Sequence, residues 1–491
     1  MTLFIVHAFL FTSLNNKITS LCMSKHPLIT LLLVVMVTGG LFFPRTIYPS
    51  NLPIVALLRP ELDYITSASF SEANPFSKEW GFLEKKDDIY GALNVTHTAD
   101  SDPAAKSWVN PGESAMASVG MMQGAIHLTT LEEDINQYDV VLKSFFENWI
   151  LSRHAQNIDS TSPDHGAFPE QVFYNSDGMD TAENLKWQTD DTAQIIIAMY
   201  KYYEYLVRTG KATEANKWLE TAEPIAKDAV NYLIRMYQET PAKEINLLPS
   251  NASDLTVRIH SSANAVPALE AMEHWANHLG QPKSRYRNTV EALKNGLLAM
   301  RDNERSGFFT ERRYNGTSYE LPSCAENINQ SVFSPYETGA IPIDAFVADL
   351  SDWWLANMTY TSTTEDDWRY FGTHWHKWFD NREENNYLYP GPGFQLAKIE
   401  WMYAEKFKNK EYAERSKKRL NWATSHSNLW WSKNHPPFSK VTNGFQDWVD
   451  SKNENHKAEE WARFIDTSAY YIQVLLMHEA DIGTDYNPTL P

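Results

Sequence analysis

From about Ala115 onward, stretches with apolar residues at i, i+3, i+4 and i+7 alternate with short polar stretches rich in Gly, Pro, Asn and Asp. That period marks amphipathic helices, and no sustained period-two alternation of the kind a half-buried strand needs accompanies it. The pattern predicts helices over 114–129, 137–155, 190–209, 213–239, 262–279, 284–301, 342–357, 364–379, 394–408, 410–425 and 457–480. In the stretch 190–209, the residues Ala193, Ile196, Ile197, Met199, Tyr200, Tyr203 and Leu206 make an apolar face wide enough for an inner layer. Asp190 or Asp191 is expected to cap that helix and Gly210 to stop it.

The N-terminus breaks the pattern. Leu28 to Phe43 is an uncharged apolar run of 16 residues after Lys25 and His26. It is short for a spanning helix of about 20 residues and long for a signal core of about 7–15, so signal sequence and signal anchor both stay open. Met23 makes the more ordinary start for such a segment, which leaves residues 1–22 as a candidate extension of the gene model. The expected division is a targeting segment over 1–51 and one domain over 52–491, since no low-complexity linker interrupts the chain after Leu52. N-x-S/T sequons at Asn94, Asn251, Asn315, Asn329 and Asn357 all follow the apolar run. They fit a secretory-pathway protein, either secreted or a single-pass type II membrane protein, and are candidate glycosylation sites.

Composition narrows the classes. The chain has 491 residues, 43% hydrophobic, so a large core is available. A formal net charge of −19 opposes nucleic acid and anionic membranes, and leaves neutral or cationic ligands better matched to the long-range field. Membrane contact is expected only through the N-terminal segment. Two cysteines, Cys22 and Cys324, cannot form a disulfide framework. His374 and His376 lack the helical spacing of a zinc pair, and no nucleotide-binding loop or nucleophile elbow is present, so no metal or cofactor is expected.

The predicted loops hold the unusual residues: WVNPGES at 108–114, PDHGAFPEQVFYNSDGMD at 163–180, LKWQTDD at 185–191, YPGPGF at 389–394 and GFQDWVD at 444–450. Aromatic rings beside carboxylates and amides suit sugars, whose apolar ring faces are edged with hydroxyls. Glu170, after a Gly-Ala-Phe-Pro turn, and Asp190 are candidate general acids. Asp447 and Asp450 are candidate bases, drawn from a C-terminal group that also holds Glu459, Glu460 and Asp466. Tyr174, Arg258, His260, Phe445 and Trp448 are candidate substrate contacts.

Three segments, WVNPGESAMASVGMMQGA at 108–125, HGAFPEQVFYNSDG at 165–178 and WQTDDTAQIIIAMYKYY at 187–203, resemble in order the six-hairpin glycosidase superfamily, most closely the glucoamylase-like glycoside hydrolase family 15. The resemblance implies an all-α (α/α)6 barrel. It also implies sugar-binding roles for Trp108, Glu113, Trp187, Gln188 and Asp190, with Glu113 standing where the family has aspartate. The family's acid follows tryptophan in a D-L-W-E segment. Here SDLTVRIHSS at 253–262 keeps Asp254 and Leu255 without Trp-Glu, so the resemblance assigns no acid. An inverting glycoside hydrolase with a Glu/Asp pair is the first reading. A non-hydrolytic carbohydrate-binding protein, or a uronate lyase or epimerase on the same fold, is the alternative.

Overall fold

The computed structural model describes residues 54–74, 89–94, 107–175, 178–179, 185–279, 284–303, 306–321, 329–359, 387–425, 449–450 and 465–479. By its internal contacts the chain divides into Met1–Leu52 and Pro53–Pro491, and every described residue belongs to the second unit. The apolar run at 28–43 and the predicted helix at 364–379 lie outside the described residues. No described helix is long and apolar enough to cross a membrane.

Twelve helices are described. In chain order they are α1 (Ile54–Ser67), α2 (Pro111–Thr130), α3 (Asn136–Lys143, continuing as a π-helix over Ser144–Ile150), α4 (Thr189–Arg208), α5 (Ala212–Gln238) and α6 (Ile259–His278). Then follow α7 (Ser284–Leu298), α8 (Ser334–Glu337, entered by a 3₁₀ turn over Gln330–Phe333), α9 (Phe346–Met358), α10 (Pro390–Phe407), α11 (Lys410–Ser425) and α12 (Ile465–Met477).

Six of them close a ring. α2 packs on α4, α4 on α6, α6 on α8, α8 on α10, α10 on α12, and α12 returns to α2. The other six surround it: α1 lies on α12 and α2, α3 on α2, α5 on α4 and α6, α7 on α6, α9 on α10, and α11 on α10. This is the (α/α)6 toroid that the resemblance implies, with α1, the first described helix, in the outer layer.

Composition explains the two layers. The inner α2 and α6 are buried around most of their circumference; α2 is rich in Gly, Ala and Ser and α6 in Ala, small residues that let backbones approach closely. A Cβ on Gly120 would stand 2.5 Å from that of Ala469, so glycine there permits the α2–α12 contact that closes the ring. The outer α5 buries one face, including Trp218, Leu219, Tyr232 and Leu233, and exposes charge on the other. Asn110 caps α2 by accepting the Glu113 N–H at 3.0 Å, with Pro111 at the first helical position. Gly210, at φ +80°, stops α4 as expected.

One sequence expectation needs correction. Neither Asp190 nor Asp191 caps α4, because the helix begins at Thr189 with extended Gln188 before it. Both aspartates fall inside the first turn, and Asp191 Oδ1 instead accepts the Gly112 N–H of the neighbouring α2 at 3.2 Å. The strands are short connections at the helix heads. They include β1 (Ser107–Val109), β2 (Phe168–Pro169), β3 (Val172–Asn175), β4 (Gly178–Met179), β5 (Trp187–Gln188) and β6 (Val257–Arg258). Later in the chain come β7 (Arg301–Asp302), β8 (Gly307–Phe308), β9 (Glu311–Tyr314), β10 (Tyr319–Glu320), β11 (Tyr387–Leu388) and β12 (Val449–Asp450).

Candidate active site

All six inner helices contribute their N-terminal ends to one cavity of about 660 Å³. Asn110, Glu113 and Met116 line it from the head of α2, and Gln188, Asp190, Asp191 and Gln194 from that of α4. Arg258, His260 and Asn264 come from the head of α6, Ser331, Ser334 and Glu337 from the α8 segment, Gln395 from α10, and Asp466 and Tyr470 from α12. Loop residues Glu170, Thr310, Glu311 and Arg313 complete the wall. Helix N-termini carry partial positive charge, which helps the site hold seven carboxyl groups: Glu113, Glu170, Asp190, Asp191, Glu311, Glu337 and Asp466.

Strand pairing places the loop groups. Phe168 pairs with Gln188 and Pro169 with Trp187, and the Glu170 N–H donates to the Lys186 carbonyl at 2.7 Å, so Glu170 is carried to the start of α4. Arg258 pairs with Glu311 across β6 and β9. Asp190 Oδ1 accepts from Asn264 Nδ2 at 2.7 Å, and its Oδ2 lies 3.7 Å from His260 Nε2. The other nitrogen of His260 is 3.2 Å from Ser331 Oγ, so the ring is held between two lining groups.

Burial holds the Asp191 carboxyl well above the usual carboxylate range, and the charges of Asp190 and Glu170 push the same way. Burial also raises Asp466, to about 6, against hydrogen bonds from Thr467 that favour its ionised form. Burial raises the Tyr470 phenol, with further contributions from Glu337, Asp466 and Asp190. Tyr470 therefore stands within the electrostatic reach of carboxyls on three different inner helices. Glu337 accepts from the buried Lys398 ammonium at 2.8 Å, and Lys398 also donates to Gln473 Oε1 at 2.8 Å.

The structure brings together Glu113, Glu170, Gln188, Asp190, Arg258 and His260, six of the residues singled out from sequence. Trp187 does not line the cavity; it is half-buried and packs against the hydrophobic core. Trp108 and Tyr174 sit in the β1–β3 pair before α2, opposite Phe173 and Ser107 respectively. Asp450 pairs with Tyr387 at the entrance to α10. Asp447, Phe445 and Trp448 lie outside the described residues. Of the sequons, Asn315 and Asn357 are exposed, Asn94 and Asn251 are buried, and Asn329 lines the cavity as the cap of the turn before α8.

Sequence reasoning missed Glu337, Lys398, Gln395, Asn264 and Tyr470, and took Asp191 only as a cap. Asp466 carried a usable signal, as a carboxyl heading the last strongly apolar run, IDTSAYYIQVLLM. Among the described residues no group of His, Cys, Asp and Glu is arranged to hold a metal ion.

The ring and its head-end cavity define an (α/α)6 toroid, and comparison with solved structures gives the same fold. No family model and no curated protein matches the sequence. The glucoamylase of Hormoconis resinae superposes with a TM-score of 0.57 at 12% identity, covering 86% of this chain and 73% of that one. A wild-type glycosidase gives 0.53 at 12% identity, covering 88% and 97%. A D-mannose isomerase gives 0.53 at 10% identity, covering 87% and 98%. At these identities the likeness defines the fold.

Proposed function

We propose that the chain is a carbohydrate-active enzyme, a glycoside hydrolase that works by inversion with a pair of cavity carboxyls. The observation that carries this reading is the convergence of Asp466 on α12 with Asp190 on α4 around Tyr470, one carboxyl raised to about 6 and the other held by Asn264 and His260. A general acid works best with a pKa near the operating pH, so Asp466 is the proton donor to the glycosidic oxygen. Asp190 takes a proton from the attacking water on the opposite face of the sugar, and Glu170 beside the head of α4 lines the same wall. The proton lost by water equals the one delivered to the leaving group, so the pair is reset by exchange with solvent.

The second reading, isomerisation or epimerisation, is favoured by His260 between Asp190 and Ser331, an imidazole placed to move a proton. It also draws on one isomerase among the structures of similar fold. Incubation with α- and β-glucans, mannans and uronans separates the readings. New reducing ends without unsaturated products support hydrolysis, and absorbance of unsaturated products indicates a lyase. An altered monosaccharide without new reducing ends indicates an isomerase or epimerase, and no change with any glycan removes the enzyme reading.

A further inference from the structure

The charges around the cavity are not balanced in the same way. Glu337 is neutralised by Lys398, and Glu311 forms an ion pair with Arg313 at 2.7 Å. Asp191 and Asp466 sit where burial favours their neutral forms. A carboxyl under desolvation escapes its charge by taking a proton; a guanidinium cannot, because it stays protonated throughout the accessible pH range. Arg258 is half-buried on the lining, and its side chain has no hydrogen-bond or ion-pair partner among the described residues.

A sugar closing over that wall removes water from Arg258. Covering an isolated charge is costly unless the ligand pairs with it. Neutral hydroxyls compensate in part, whereas a carboxylate matches the planar fork with two parallel hydrogen bonds. The neighbours extend the same chemistry: His260 on α6 and Gln330 and Ser331 before α8 supply donors along this wall, Asn264 donates to Asp190 at its edge, and Asp466 and Tyr470 stand on α12. The cavity thus has a donor-rich side and an acceptor-rich side. A uronic acid has matching halves, a carboxylate on C5 and hydroxyls around the rest of the ring.

We propose that Arg258 forms a subsite for a sugar carboxylate, so that the cavity takes uronic acids or glycans ending in them in preference to neutral sugars. This rests on the carbohydrate reading above and adds the substrate class. The net charge of −19 does not oppose it at contact range, because at physiological ionic strength charges more than about 8 Å away are largely screened. The distant field slows arrival; the local guanidinium decides fit.

The test is calorimetric titration of the purified protein with methyl glucuronides and methyl glucosides, both anomers of each, repeated on Arg258→Gln and Arg258→Lys, with circular dichroism and thermal melts to establish folding. Wild type is expected to bind a glucuronide about tenfold or more tightly than the matched glucoside. Arg258→Gln should lose that preference, the ratio of glucuronide to glucoside affinity falling to about one whatever the change in glucoside affinity, and Arg258→Lys should recover part of it. Equal affinities in wild type, or a preference that survives in Arg258→Gln, overturns the subsite and leaves the carbohydrate reading standing. Binding of neither sugar overturns both.

Discussion

Two faces of helix α10 treat buried carboxyls in opposite ways. On its outer face Glu400, fully buried, accepts from Ser351 of α9 at 2.6 Å and from Arg419 of α11 at 2.9 Å. That carboxylate is held in a closed structural network between the two layers. On its inner face Gln395 lines the cavity, where half-buried Asp466 has no ion pair among the described residues and desolvation pushes it up to about 6. A carboxyl is fixed in the architecture where a guanidinium is supplied and is left open to protonation where none is.

The contrast is broken most strongly by Asp466→Asn. Loss of a general acid is expected to lower turnover by about 100- to 10,000-fold, measured on whichever glycan the wild type cleaves. The same change should stabilise the fold near neutral pH. A carboxyl whose folded pKa lies above its unfolded value of 3.8 binds more protons when native between about pH 4 and 6, so wild-type stability declines as pH rises through that window. The contribution is about 3 kcal/mol, and Asp466→Asn should flatten this part of a denaturation-against-pH curve. A variant both inactive and more stable is the mark of a site residue kept at the expense of stability.

On the outer face the expected result is reversed. Arg419→Ala leaves Glu400 buried without its guanidinium and should cost about 3–5 kcal/mol, read as a lower denaturation midpoint. Lys398→Met lies between the two cases, because it removes the partner of cavity-lining Glu337; about 3 kcal/mol of stability and a measurable part of turnover should be lost together. The smallest effect is expected from Asn264→Ala, which deletes one hydrogen bond to Asp190. About tenfold in turnover should disappear, with little change in the melting temperature.

Much of this fold was readable before any coordinates, for a definite reason. Long helices such as α4, α5 and α6 repeat the apolar period often enough to be seen, and their bounds moved by only a few residues. α1 was overlooked because Pro60 interrupts its pattern next to the N-terminal apolar region. α8 was overlooked because one turn contains no period. The cavity lining was legible in neighbouring stretches of chain, which carry Glu170, Gln188 and Asp190. It was not legible for Glu337 and Lys398, which meet only because the ring closes, whereas Asp466 stood among the C-terminal carboxyls without being singled out from them. Trp187, to which the resemblance gives a sugar-binding role, is half-buried opposite Pro169 in the β2–β5 pair and packs against the core.

The measurement that bears most directly on the account is the pH dependence of glycan cleavage by wild type and Asp466→Asn, followed as new reducing ends between pH 4 and 8. Wild-type kcat/KM should fall tenfold per pH unit above about 6, as Asp466 gives up the proton it must donate, and the variant should be inactive throughout. Cleavage by Asp466→Asn with the wild-type rate and pH profile would contradict the assignment of this cavity as an acid–base site.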